Sequence, residues 1–344
     1  MLLSKYFSTM FGKYFSTTNG IDLDTPENSS LTSECTKLDV FFFFRHILGR
    51  LPTGGEWDSH CNTFVGKQLE NSLSTYISSP EFLMRDLVNY TLADSELVDL
   101  PDGYKIYASP SDPHVGSHVV TAKMYEPNVS QIFRSNLSSG MNVLDIGANI
   151  GWFTFLSRHL VGPSGKVTAI EAGPANIQML LKSNKINAWQ DNVEIIFGAA
   201  SDSFETLVYS AVGSNGMVNS LSDIPDPLAA NPVMSFPIEK IVDDNTRWDF
   251  VKIDIEGFEW KAISGMQSII ERDHPKFVIE FCPEAIQNNS DIAAEEFLLY
   301  FVKLGYSLSV IGDNELIDFE KNSDSLVKYY QSSGCFLLNL FLKV

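Results

Sequence analysis

The chain is short of cysteines, basic residues and long apolar runs, and each shortage excludes something. Cys35, Cys61, Cys282 and Cys335 are the only cysteines in 344 residues. No two are near neighbours, so no zinc motif and no Cys-x-x-Cys redox motif is present. Reduced thiols are expected, which suits the cytoplasm. Lys and Arg total 24 against 43 Asp and Glu, a formal net charge of −19. A chain this acidic is repelled by phosphate backbones, and no cluster of Lys and Arg offers a local exception, so no nucleic-acid partner is expected. Strictly apolar runs are as short as Val40–Phe44 and Cys335–Leu338, far below the roughly 18–20 residues of a membrane span. The first twenty residues contain early lysines but neither an apolar core nor a cleavage site, so export by the general route is not expected.

What is present supports a folded chain. Apolar and aromatic residues make up 44% and charged residues 19%, a balance that argues against disorder over most of the length. At about 150 residues per domain, roughly two domains are expected. Lys5-Tyr-Phe-Ser-Thr9 recurs as Lys13-Tyr-Phe-Ser-Thr17. This repeat reads as a flexible terminus, with peripheral contact to a membrane surface as the competing reading. Residues 18–34 read as a polar linker. Residues 35–98 read as a small helical domain. Apolar positions around Phe41, Trp57 and Tyr76 follow a helical period, LPTGGEWD breaks the chain at 51–58, and Ser79-Pro80-Glu81 opens another helix. The run FRHILGRLPTGGEWD…ISSPEF resembles a small helical domain of unknown function found in bacterial surface-associated and glycan-related proteins.

From residue 99 onward the pattern changes. Strands are expected at 104–107 and 118–124, followed by a helix at 129–137. Beyond 141, strands at 142–146, 166–171, 193–200, 250–254 and 276–281 alternate with helices at 152–160, 175–187, 259–270 and 293–304. Such alternation with apolar strands reads as a parallel α/β sheet with helices on both faces. Strands at 306–311 and 336–344 close the chain with no long helix expected between them, so one is expected to run antiparallel at the sheet edge. The Gly-, Ser-, Asn- and Pro-rich stretch 211–237 reads as a long loop with substrate contacts near Asn219-Ser220-Leu221.

Three motifs carry chemistry. The first is VLDIGANIGWFT at 143–154. A strand ends at Asp145-Ile146, Gly147 and Gly151 let a ligand approach backbone N–H groups, and a helix follows. A dinucleotide fold would have a glycine where Asn149 stands. Asp145 instead favours a ligand with an amino-acid end. The second is Glu171, which ends the next strand about 20 residues past Gly151, the spacing of a ribose-binding acid. The third is DFVKIDIEGFEW at 249–260. Asp254 sits at the carboxyl end of its strand and Glu256 follows. Two carboxylates there can act as general base, orient a hydroxyl or hold a metal. Lys252, inside the strand, is expected to pair with a carboxylate. Glu280 and Glu284 add to the same rim, while His274 precedes its strand on the opposite edge and reads as structural. No Ser/His/Asp order, Walker loop or metal-binding His pair is present, and no metal is assigned.

Together these residues resemble the FkbM family of S-adenosylmethionine-dependent methyltransferases, from about Tyr125 to Glu284. The likeness rests on YEP at 125–127, LDIGANIG at 144–151, Glu171, KIDIEGFE at 252–259 and IEF at 279–281. Ile238-Glu239 stands where the family has Leu-Asp, and Ala-Gly-Pro follows Glu171 in place of Pro-Asn-Pro. The resemblance implies a Rossmann-like α/β domain with a mostly parallel seven-stranded sheet over 99–344. It implies S-adenosylmethionine as cofactor and O-methylation of a hydroxyl on a sugar, glycan or secondary metabolite. It also implies a cradle for the methionine end at Asp145, Gly147, Asn149 and Gly151, ribose at Glu171, and adenine near Ala200 and Asp202. Glu126 would reach the methionine amine, and Asp254, then Glu256, would be the base. The rivals are an inert cofactor-binding or tethering module and a nicotinamide-dependent oxidoreductase. A homodimer is compatible with the sequence.

Overall fold

In the computed structural model, residues 34–48, 52–77, 79, 95–220, 231–313 and 315–344 are described. The terminal repeat, the linker up to residue 33 and the helix expected from Pro80 lie outside them. The chain divides into two compact units, a smaller one built on residues 34–79 and a larger one built on 95–220 and 233–344.

The smaller unit contains α1 (Lys37–Phe42), which continues as a π-helical turn over Phe43–Leu48, then α2 (Gly54–Phe64) and α3 (Leu69–Ile77). Thr53 starts α2 because its N–H and hydroxyl both donate to the Glu56 carboxylate, at 2.8 and 2.9 Å. The helices close over Cys35, Val40, Phe43, Phe44, Trp57 and Tyr76.

In chain order the larger unit contains β1 (Glu96–Asp99), β2 (Lys105–Ala108), α4 (Gly116–Ala122), α5 (Pro127–Asn136), β3 (Asn142–Ile146), α6 (Trp152–Val161), β4 (Lys166–Glu171), α7 (Pro174–Ile186), β5 (Val193–Phe197) and β6 (Ala199–Ser201). There follow β7 (Thr206–Val212), β8 (Asn215–Ser220), β9 (Asn231–Pro237), β10 (Phe250–Ile253), α8 (Glu259–Ser264), α9 (Gln267–Asp273) and β11 (Lys276–Phe281). The last elements are α10 (Pro283–Ser290), α11 (Ala294–Lys303), β12 (Ser307–Ile311), β13 (Leu316–Glu320), α12 (Ser323–Ser333) and β14 (Leu338–Lys343).

The main sheet has the order β13-β12-β14-β11-β10-β3-β4-β5 and eight strands, where seven were expected. The extra one is β13, an antiparallel edge partner of β12. β14 runs antiparallel to both β11 and β12, so of the two closing strands expected the reversed one is interior, and the reversed strand at the edge is β13. A helix also separates β12 from β14. Residues 323–333 are largely polar, which hid α12, but Asn322 starts it by accepting the Ser325 N–H at 3.0 Å.

Other departures have local causes. The β-branched stretch expected as a strand at 118–124 lies in α4 and the turn after it, because the Asp112 carboxylate takes the Gly116 N–H at 2.7 Å and caps the helix start. The strand expected over 193–200 splits at Gly198, whose φ is +154° and where a Cβ would lie 2.4 Å from the Phe236 ring. The expected 259–270 helix breaks between α8 and α9, where Gly265 packs so closely that a Cβ would meet the Ser201 carbonyl oxygen at 1.9 Å. Of the expected loop over 211–237, the described residues, 211–220 and 231–237, are largely strand. β7 and β8 pair as a hairpin and join β6 and β9 in a second, four-stranded sheet. Among the described residues no helix is long and apolar enough to cross a membrane.

Candidate active site

The site follows from strand register. Ile146, the last residue of β3, pairs with Ile170 of β4 and Ile253 of β10, and Ile253 pairs with Ile279 of β11. The residues just beyond therefore meet along one carboxyl edge: Gly147, Glu171, Asp254 and Glu280. The ladder continues past the strand ends, with the Gly147 N–H donating to the Ile170 carbonyl at 2.9 Å and the Asp254 N–H to the Ile146 carbonyl at 3.1 Å. Ligands of open α/β sheets sit at this edge.

Gly147 has φ +77°, and a Cβ on it would lie 1.8 Å from the Asp254 carbonyl oxygen. Asn149 adopts φ +52°, a left-handed conformation that asparagine tolerates better than most residues. Its N–H donates to the Glu171 carboxylate at 2.8 Å, and its side-chain amide donates to the Ser214 carbonyl at 3.1 Å. Glu171 is buried and also accepts the Gly173 N–H at 2.6 Å and the Asn176 amide at 3.3 Å. Burial raises its carboxyl above the usual range, and these hydrogen bonds oppose the rise.

Beside this loop, Asp254 sits 3.0 Å from the Lys252 ammonium. Lys252 is buried, lies 5.3 Å over the Phe153 ring and also approaches the Gly147 carbonyl at 3.4 Å. Burial works to lower its pKa, but the charges of Asp254 and Asp145 outweigh this and hold it above the ordinary lysine range. Glu256 has φ +57°, a strained conformation for a non-glycine residue. Three contacts hold it there: Asn289 donates to its carbonyl at 2.9 Å, Ser290 to the Gly257 carbonyl at 2.8 Å, and Asn215 to its carboxylate at 2.7 Å. Asp254, Glu256 and Glu280 each bring one oxygen within 4.8 Å of the others. Burial and the neighbouring negative charges push the Glu280 carboxyl well above the usual range.

Residues 145–308 match the family model described as the Methyltransferase FkbM domain. This stretch is an FkbM methyltransferase domain. Among curated proteins, the chain is similar to protein-L-isoaspartate O-methyltransferase of Methanothrix thermoacetophila, 34% identical over 96 residues, 27% of this chain and 43% of that protein. The chain thus spans less than half the length of this curated relative. Among solved structures it is similar to methyltransferase FkbM from Methylobacillus flagellatus KT, at 15% identity and TM-score 0.41, covering 87% of this chain and 58% of that one. It is also similar to Aeropyrum pernix fibrillarin in complex with natively bound S-adenosyl-L-methionine, at 12% identity and TM-score 0.38, covering 73% and 94%.

The FkbM domain brings six of the ten expected site residues to one cavity wall: Gly147, Asn149, Glu171, Ala200, Asp254 and Glu256. The other four stand off it. Gly151 serves packing, since a Cβ there would meet Phe155 and Leu180 at 2.5 and 2.6 Å. Asp145 is fully buried, accepts the Thr154 hydroxyl and faces Lys252, behind the cavity wall. Asp202 is exposed, accepts from the Ser201 and Ser203 hydroxyls and is not part of the cavity wall. Glu126 lies behind the wall beside Asn339, while its neighbour Tyr125 lines the cavity. Glu239 instead accepts from the backbone and hydroxyl of Ser268, away from the site. His274 sits at the end of α9 with Nδ1 2.8 Å from the Ile270 carbonyl. The wall also contains Tyr209 and, from the stretch read as a contact-making loop, Ser214, Asn215 and Gly216, all of the β7–β8 hairpin, whose strand pairing the loop reading did not anticipate. The turn-forming run Gly213-Ser-Asn-Gly216 between alternating strands was the available signal.

Glu126 sets a pH dependence. Burial first, and then the negative charge of Asp254, push its carboxyl up to about 7. The folded state therefore holds a proton that the unfolded chain releases near its ordinary value of 4.5, and stability falls as pH rises between 4.5 and about 7. Glu126→Gln is expected to leave Tm near wild type at pH 4.5 and raise it at pH 8, by on the order of 2 kcal/mol of stability. Thermal melts across that range check it; equal wild-type and variant slopes would count against a buried, proton-holding Glu126.

Proposed function

We propose that the chain transfers a methyl group from S-adenosylmethionine to a hydroxyl of a sugar, glycan or secondary metabolite. The observation that carries this reading is one cavity whose wall combines Gly147, Asn149 and Glu171 with Asp254 and Glu256. The cofactor end suits its ligand. Gly147, Gly198 and Gly216 line the cavity without side chains of their own, and Glu171 is an acceptor at the ribose-binding position. The neighbouring carboxylates favour a cation.

When bound, S-adenosylmethionine supplies a methyl carbon bonded to a positively charged sulfur. The chain's own residues have two tasks, alignment of the acceptor oxygen and removal of its proton. Asp254 is the first choice for the proton, since its carboxylate is partly open to the cavity while Lys252 holds it from behind. Glu256 is the second choice and can accept a hydrogen bond from a neighbouring hydroxyl. The surrounding carboxylates repel a phosphorylated or carboxylated acceptor and accept hydrogen bonds from a neutral polyol, which favours hydroxylated acceptors. The cytoplasmic setting expected from unpaired cysteines belongs to the same proposal.

The test is thermal unfolding with S-adenosylhomocysteine, with NAD as control. At one hundred times its Kd the ligand is expected to stabilise the protein by about 2.7 kcal/mol, while NAD leaves Tm unchanged. Transfer of a labelled methyl to a panel of hydroxylated sugars follows. A shift with NAD alone would sink the proposal in favour of an oxidoreductase. Binding without transfer to any acceptor would favour an inert module.

A further inference from the structure

The tip of the β7–β8 hairpin is tied down from four separate parts of the chain. Its Ser214 carbonyl accepts the side-chain amides of Asn149 at 3.1 Å and Asn176 at 2.8 Å. Asn215 donates to Glu256 at 2.7 Å. From outside the cavity, the Asp112 carboxylate accepts the Ser214 N–H at 3.0 Å. Asp112 is buried, and its second oxygen takes the N–H groups of Val115 and Gly116 at 3.2 and 2.7 Å. The approach requires a glycine at 213, where φ is +64° and a Cβ would lie 2.4 Å from the Asp112 oxygen.

We propose that Asp112 is a cofactor-positioning residue, acting through Ser214 to hold the hairpin tip in the wall of the cofactor cavity. Asp112 does not line the cavity, whereas Ser214, Asn215 and Gly216, which it holds in place, all do. A two-residue turn at the end of a hairpin keeps little conformation of its own, so its position depends on such ties. Burial alone would raise the Asp112 carboxyl, but the hydrogen bonds from Ser214, Gly116 and His114 hold it below the usual range, so it stays ionised and a strong acceptor at neutral pH. Loss of the tie releases the wall after the ligand has bound and therefore speeds its departure more than it slows its arrival.

This inference rests on the cofactor reading above, and the experiment separates the two. S-adenosylhomocysteine binding to the full chain is followed by stopped-flow tryptophan fluorescence, since Trp152 lines the cavity. Asp112→Ala and Gly213→Ala are expected to dissociate the ligand at least tenfold faster with little change in association rate. Asp112→Asn keeps one accepting oxygen for the N–H groups that the two carboxylate oxygens now share, and is expected to speed dissociation less than the alanine variants do. A lowered ligand-free Tm with a wild-type dissociation rate in both alanine variants would mean that Asp112 only supports the fold, and would overturn the inference. Should those variants fail to fold, hydrogen exchange on the wild-type chain decides. The Ser214 and Asn215 amides are expected to exchange at least tenfold more slowly with ligand bound, and unchanged exchange overturns the proposal. A wild-type chain that binds no S-adenosylhomocysteine sinks the cofactor reading, and this inference with it.

Discussion

Asp254→Asn is expected to lower methyl transfer by about 10²- to 10⁴-fold, the range of a lost general base, while S-adenosylhomocysteine binding persists. The amide has the shape of the carboxylate but cannot take a proton from the acceptor hydroxyl. Folding is expected to survive because Lys252 does not depend on Asp254 alone. Its ammonium also feels the charges of Asp145 and Glu126 and approaches the Gly147 carbonyl at 3.4 Å. Two measurements are needed, the rate at saturating cofactor and acceptor, and the ligand-induced shift in Tm. A rate within threefold of wild type would remove Asp254 as the base and move Glu256→Gln to the front. Loss of both rate and ligand binding would instead make Asp254 part of the cofactor pocket.

Gly147→Ala is expected to have the largest effect on binding and stability together. The added Cβ would sit 1.8 Å from the Asp254 carbonyl oxygen and 2.9 Å from the Ile255 side chain, at φ +77°. The first neighbour is backbone, fixed by the β3–β10 ladder, so it cannot rotate aside. A strained φ and forced overpacking add up to about 3 kcal/mol. The displaced loop also carries Asn149, whose N–H holds Glu171, so the stabilisation by S-adenosylhomocysteine is expected to disappear. Gly151→Ala is the contrast. Its Cβ would meet the Phe155 and Leu180 side chains, at 2.5 and 2.6 Å. Side chains can shift, and Gly151 is off the cavity wall, so stability should fall while ligand affinity changes less. Urea denaturation and titration with the ligand check both variants. Wild-type affinity in Gly147→Ala would mean that the loop is not the cofactor cradle.

Much of the architecture was legible because its signals are local. The strands at 142–146, 166–171, 250–254 and 276–281 are apolar runs bounded by turn residues, and β3, β4, β10 and β11 match them within a residue. The elements misread were those whose local signal is weak or misleading. α12 is polar, β13 never becomes buried along its length, and α4 contains β-branched residues but owes its start to a buried aspartate. The Gly- and Asn-rich turn at 213–216 reads as loop until its flanks are paired as β7 and β8.

By itself the amino-acid sequence determined which chemical groups end which strands: a glycine loop after β3, an acid after β4 and a pair of acids after β10. These depend on neighbours along the chain. Which groups face one another was decided only by tertiary structure. Sheet register aligned Ile146 with Ile170 and Ile253 and so brought Gly147, Glu171 and Asp254 to one edge. Packing buried Asp145, left Asp202 exposed, and carried Ser214 across the fold to Asp112, Asn149 and Asn176. Contacts between residues tens to a hundred positions apart are set by how layers stack and where a glycine permits close approach, and spacing along the chain records neither.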